Sequence, residues 1–190
     1  MSGQIGNGSK GKDVPAPADV VAYDPPAAAK KPSASKKAAT PSRALQMFVD
    51  QVAGVLAKSS AARQQLASAL AAGFSCKIST ATAAARLGDV INARGGQLAK
   101  LARMRGPSAQ SNQALQLLRL ALKHSVDADI RYREGFAALG LRNCPLPPNR
   151  NFTLARTYDQ RASEAKQRFA AAFNPLARSV GRRAWKAAEI

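Results

Sequence analysis

A chain of 190 residues with 29 Lys and Arg against 11 Asp and Glu carries a formal net charge of +18. It has no run of about 18 apolar residues, which excludes a membrane-spanning helix, and its opening MSGQIGNGSKGKD lacks the apolar stretch of a signal peptide. Much of the 46% hydrophobic fraction is Ala and only 5% is aromatic, so the composition favours helices, whose Ala, Leu and Arg side chains lose little rotamer freedom on folding.

In chain order, residues 1–39 come first, dominated by Gly, Ser, Pro, Ala and Lys. Too few large apolar side chains are present to offset ordering entropy, and the segment reads as a disordered tail. Within it, AAAKKPSASKKAATPSR at 27–43 resembles in composition the Lys/Ala/Pro tails of linker-histone-like proteins. That resemblance implies contact with a polyanion, and a plain soluble linker accounts for the same composition.

Residues 40–181 then read as an all-α domain, an antiparallel up-down four-helix bundle with helices at about 41–72, 79–105, 108–139 and 151–178. The remaining length, roughly 145 residues, is enough for one real core. Thr40 and Pro41 suit an N-cap and first helical position, and Leu45, Phe48, Val52, Val55, Leu56, Ala62, Leu66 and Leu70 follow at spacings of three and four. Gly73 before Phe74 has the look of a C-terminal glycine cap. The second helix begins at Ser79 or Thr80 and carries Leu87, Val90, Ile91, Leu98 and Leu101 on one face. Its Gly95-Gly96 pair marks either a kink or a close helix approach, and Gly106-Pro107 ends it. Leu115, Leu118, Ala121, Leu122, Val126, Tyr132 and Phe136 form the stripe of the third helix, with Gly140 as its stop. The fourth starts at Asn151 with Leu154, Tyr158, Ala162, Ala165, Phe169, Ala172, Phe173 and Leu176 on one face, and Pro175 ends or kinks it. A short basic segment at 182–190, RRAWKAAEI after its glycine, trails behind.

The bundle gives geometry to the residues outside the stripes. Cys76 and Cys144 fall in loops at the same end, so they either form one disulfide, which implies an oxidising compartment, or stay reduced. Arg94 and Asp129 fall on faces that should be buried, and a buried charge needs a partner. They pair with each other, or with Tyr132 and His124 they line a polar pocket for a small ligand, or the helix bends at the glycines and Arg94 reaches solvent. His124 beside Ser125 is not a catalytic pair, because adjacent helix positions do not face one another. No metal-ligand spacing, phosphate loop or poised carboxylate pair occurs, and the reading is a non-enzyme with no cofactor and no metal.

The charge remains. Residues 1–43 hold seven Lys and Arg against three Asp, while residues 44–190 hold twenty-two against eight acids, so the folded part is itself the polycation. The expected partner is nucleic acid or another polyanion, bound with low sequence specificity as in packaging or structural proteins, since phosphate neutralisation needs no base-reading motif. Candidate contacts are Lys30, Lys31, Lys36 and Lys37 in the tail, Arg103, Arg105, Arg119 and Lys123 on the helices, and Arg182, Arg183, Trp185 and Lys186 at the close. Trp185 either stacks on a base, sits at a membrane interface or docks on the bundle. The helix charges spread over several solvent faces. The alternatives are an extracytoplasmic, disulfide-stapled interaction module, or a homo-oligomer or assembly subunit whose exposed Arg are neutralised by neighbours. A virion or extracytoplasmic location follows only if the disulfide forms.

Overall fold

The computed structural model describes residues 42–139 and 145–190. The tail, the Thr40–Pro41 start, the Gly140 stop and Cys144 lie outside the described residues. Among those described, the helices are α1 (Arg43–Phe74), α2 (Thr80–Arg103), α3 (Ala109–Ala137) and α4 (Arg150–Ser179), followed by a 3₁₀ turn at Ala187–Glu189. The domain is an all-α helical bundle, and no described helix is long and apolar enough to cross a membrane.

Each helix opens on a short polar side chain that accepts from a backbone N–H of the first turn. Ser42 takes the N–H of Leu45 at 3.2 Å, Ser79 that of Thr82 at 3.1 Å, Ser108 that of Ser111 at 3.1 Å and Asn149 that of Asn151 at 2.8 Å. The caps are thus Ser42 in place of Thr40 and Asn149 in place of Asn151. The α1 stop also differs from expectation. Gly73 lies inside the helix, where a Cβ would come within 2.7 Å of the Phe136 ring. Its role is close approach, and the left-handed cap position falls to Cys76, at φ 59°. There the Cys76 N–H reaches Gly73 O at 3.1 Å and the Lys77 N–H reaches Ala72 O at 2.9 Å, the bonding pattern of a Schellman motif. Gly181, at φ 70°, closes α4 in the same way, and Pro175 sits within α4 without ending it.

The core follows a repeat of alternating three and four residues. In α2 the positions Thr80, Ala83, Leu87, Val90, Arg94, Gln97 and Leu101, and Met104 just past its end, are all buried. In α4 the same frame runs Phe152, Ala155, Asp159, Ala162, Lys166, Phe169, Phe173 and Leu176, one helical step away from the expected Leu154 and Tyr158, which are half-buried. A 3.5-residue period is that of knobs-into-holes packing between helices crossing at shallow angles. Two apolar clusters result. One joins the start of α1, the end of α2, the start of α3 and the end of α4, around Phe48, Leu56, Leu101, Leu118, Phe169 and Phe173. The other joins the opposite ends, around Ala69, Leu87, Tyr132, Phe136 and Phe152. This pairing of helix ends is the up-down antiparallel arrangement. The glycine pair of α2 leaves the helix unbroken, and a Cβ added at either position would meet nothing within 4 Å, so the pair is not a close helix approach.

Candidate polyanion interface and the buried charged layer

Between the two apolar clusters the heptad frame carries polar residues. Ser59, Arg94, Gln97, Ser125 and Asp129 are buried, with Asp159 and Lys166 half-buried beside them. Arg94 Nη1 donates to Asp129 Oδ2 at 2.6 Å, and the two side chains are 3% and 0% exposed. The same Nη1 lies 3.5 Å from Ser125 O. Arg94 therefore turns inward to an anion. Across the layer the Tyr132 hydroxyl donates to Asp159 at 2.8 Å. Satisfaction is incomplete: Arg94 Nε, Gln97 Oε1, His124 Nδ1 and Asp129 Oδ1 have no hydrogen-bond partner among the described residues. His124 does not join the Arg94–Asp129 pair. It lies beside Asp127, with Nδ1 at 3.9 Å, and its ring is 6.4 Å from that of Tyr158.

The electrostatics of the layer follow from dehydration. Burial outweighs the guanidinium of Arg94 and raises the Asp129 carboxyl to about 6. Burial likewise raises Asp159 and, with the hydrogen bond to Asp159, the Tyr132 hydroxyl. Lys166 is lowered to about 8, first by burial and then by the like charges of Arg94 and Arg63.

The cations proposed from sequence assemble differently. Arg103, Arg105, Arg119, Arg182, Arg183, Trp185 and Lys186, far apart in the chain, come to one end of the bundle, because Leu101, Met104, Leu118 and Trp185 share the first apolar cluster. The segment 182–190 does not trail free. Trp185 and Ile190 are 8% and 1% exposed in that cluster. Asn174 fixes the Trp185 backbone, accepting its N–H at 2.8 Å and donating to its carbonyl at 3.0 Å. Arg183 stacks on the indole, 3.7 Å from the ring centroid, and bonds Glu189 at 3.0 Å. Trp185 is thus spent on the core and on Arg183, not open for base stacking or for a membrane interface.

Several of these charges have local duties. Arg119 is half-buried and caps the end of α2, donating to Leu101 O at 3.1 and 2.6 Å and to Met104 O at 3.1 Å. Arg105 donates to Ala102 O and Met104 O. Arg182 makes a two-bond fork with Asp50 at 2.7 and 2.9 Å, which holds that carboxylate below its usual range. Lys123 lies outside this end and pairs with Asp127 at 2.8 Å. What stays exposed at this end without an ion pair among the described residues is Arg43, Lys100, Arg103, Arg105, Arg178 and Lys186. The acids there, Asp50 and Glu189, are both already paired. Arg43 and Arg178 were missed as contacts in the sequence, because only the antiparallel topology puts the α1 start beside the α4 end. Lys30, Lys31, Lys36 and Lys37 lie outside the described residues.

The α1–α2 turn, with Cys76, is at the opposite end. The Thr80 hydroxyl donates to Leu139 O at 2.9 Å and ties this turn to the end of α3. Among the described residues no group of three or more His, Cys, Asp or Glu is placed to hold a metal. No family model matches the chain, and no curated protein or solved structure is significantly similar to it.

Proposed function

We propose that the protein is a non-enzymatic binder of nucleic acid, using the basic end of the bundle and reading phosphate and not sequence. The observation that carries this reading is the set of exposed cations at one end that form no salt bridge among the described residues, Arg43, Lys100, Arg103, Arg105, Arg178 and Lys186, where Asp50 and Glu189 are bound by Arg182 and Arg183. Such a surface keeps its positive potential available to an external polyanion, and its donors match phosphate oxygens. The test is equilibrium binding of the full chain to duplex DNA and to RNA of mixed sequence across a salt series. The reading expects affinity that falls linearly with log salt and is similar between sequences. Replacing Lys100, Arg103 and Lys186 by Gln flattens that slope. Absence of binding at low salt overturns it.

A second reading is an extracytoplasmic interaction module stapled by a Cys76–Cys144 disulfide. It is favoured by the Thr80–Leu139 hydrogen bond, which ties the helix after the Cys76 turn to the end of α3, five residues before Cys144 in sequence. Intact-mass measurement without reductant decides it: the disulfide form lacks two hydrogens relative to the reduced chain.

A further inference from the structure

We infer that the end of the bundle opposite the basic surface holds a binding site for a small apolar carboxylate, a ligand with an aromatic or alkyl body and one negative charge. A cavity of about 550 Å³ opens there between the end of α1, α3 and the start of α4, within the size range of small-molecule sites. Its walls are the rings of Phe74, Tyr132 and Phe152, its lip is Leu146–Pro148, and Arg156 stands at its edge.

The walls are built before any ligand arrives. Phe74 meets Phe136 and Phe152 at centroid distances of 5.1 and 5.0 Å. Phe152 in turn occupies the space over Gly135, where a Cβ would fall 2.3 Å from its ring. Two glycines, Gly73 and Gly135, thereby set the rings in place, and two consecutive prolines stiffen the lip. A preformed apolar wall spares the ligand most of the ordering cost of binding. Yet Phe74 remains 45% exposed, a large apolar surface that a ligand body would cover.

The charge requirement comes from Arg156. It is exposed and makes no hydrogen bond or ion pair among the described residues, and the nearby Asp159 is engaged by the Tyr132 hydroxyl. One unpartnered guanidinium beside an apolar wall matches one carboxylate.

The site is separate from the basic end, so it is tested separately. The full chain is titrated with 3-phenylpropanoate and with its uncharged amide, by calorimetry or by chemical-shift changes. The acid should bind about threefold more tightly than the amide, and Arg156→Gln should remove that difference, as loss of one exposed charge-assisted contact does. Phe74→Ala should weaken both ligands. Arg103→Gln, at the other end, should leave both unchanged, and melting followed by circular dichroism checks that each variant is folded. Equal binding of acid and amide, equal weakening by Arg103→Gln and Arg156→Gln, or no binding at millimolar ligand would each overturn the site.

Discussion

The two ends of this bundle use the same three-four repeat and finish it in opposite ways. At the α2–α3 end the core is aliphatic and aromatic, and the surface is crowded with cations whose nearby acids are already taken. At the α1–α2 end the rings themselves reach the surface, Phe74 above all, and one guanidinium stands alone among them. Between them lies a layer of buried charge that belongs to neither. The contrast teaches that net charge says little about where charge is usable. Of the cations singled out in the sequence, Arg119, Lys123, Arg182 and Arg183 are engaged locally, while Arg103, Arg105 and Lys186 form no ion pair among the described residues and define a surface.

The middle layer offers the strongest way to break this division. Asp129→Ala leaves Arg94 buried without its anion and should destabilise the fold by about 3–5 kcal/mol in urea unfolding. The double change Arg94→Met with Asp129→Leu should recover most of that loss. If Asp129→Ala costs no more than a surface change, the layer is not sealed.

Lys166 should act in the opposite direction. It is half-buried with no acceptor, so Lys166→Met should stabilise the protein at pH 7 by about 1–3 kcal/mol. The sign with pH is fixed by the lowered value. The folded state holds fewer protons than the unfolded state between about 8 and 10.5, so this group's contribution makes stability rise with pH across that window. The rise should vanish in Lys166→Met. Asp129, raised to about 6 from 3.8, has the reverse slope: its contribution to stability increases as pH falls from about 6 towards 3.8. Thermal melts at stepped pH read both.

Glycines sharpen the contrast between crowded and open positions. Gly135→Ala should cost about 1–3 kcal/mol, because its methyl meets the Phe152 ring and the cavity wall must shift. Gly95→Ala, on an exposed helical face with open space above it, should instead stabilise by about 1 kcal/mol. The smallest effect belongs to Arg182→Ala, whose fork with Asp50 is solvent-exposed; its melting temperature should barely move.

The repeat of apolar residues made four antiparallel helices legible, and the misfit of Arg94 and Asp129 in their stripes was equally plain. The α4 frame was harder, because Leu154 and Tyr158 advertise an apolar face one step from the buried one. Reading Phe152, Ala155, Ala162 and Phe169 as a strict three-four repeat would have placed Asp159 and Lys166 in the core line as well. Cap positions misled for a similar reason: Gly73 is required by the Phe136 ring across the bundle, and no local rule shows that. Trp185 in a run of Arg and Lys leaves base stacking, a membrane interface and docking on the bundle equally open from sequence. Its burial depends on Asn174 and on Arg183 lying across the ring, contacts made only after the chain turns at Gly181. The basic end depends on topology, since Arg43, Lys100, Arg178 and Lys186 come from four separate stretches of chain.

The most direct measurement is the salt dependence of nucleic-acid binding by the full chain and by two triple variants. One replaces Lys100, Arg103 and Lys186 by Gln at the basic end. The other replaces Arg86, Arg131 and Arg161 by Gln, removing the same charge elsewhere. The basic-end variant should lose about one unit of log–log slope for each phosphate contact removed, and the other should keep nearly the full slope. Equal loss in both variants would mean that diffuse net charge, and not this end of the bundle, does the binding.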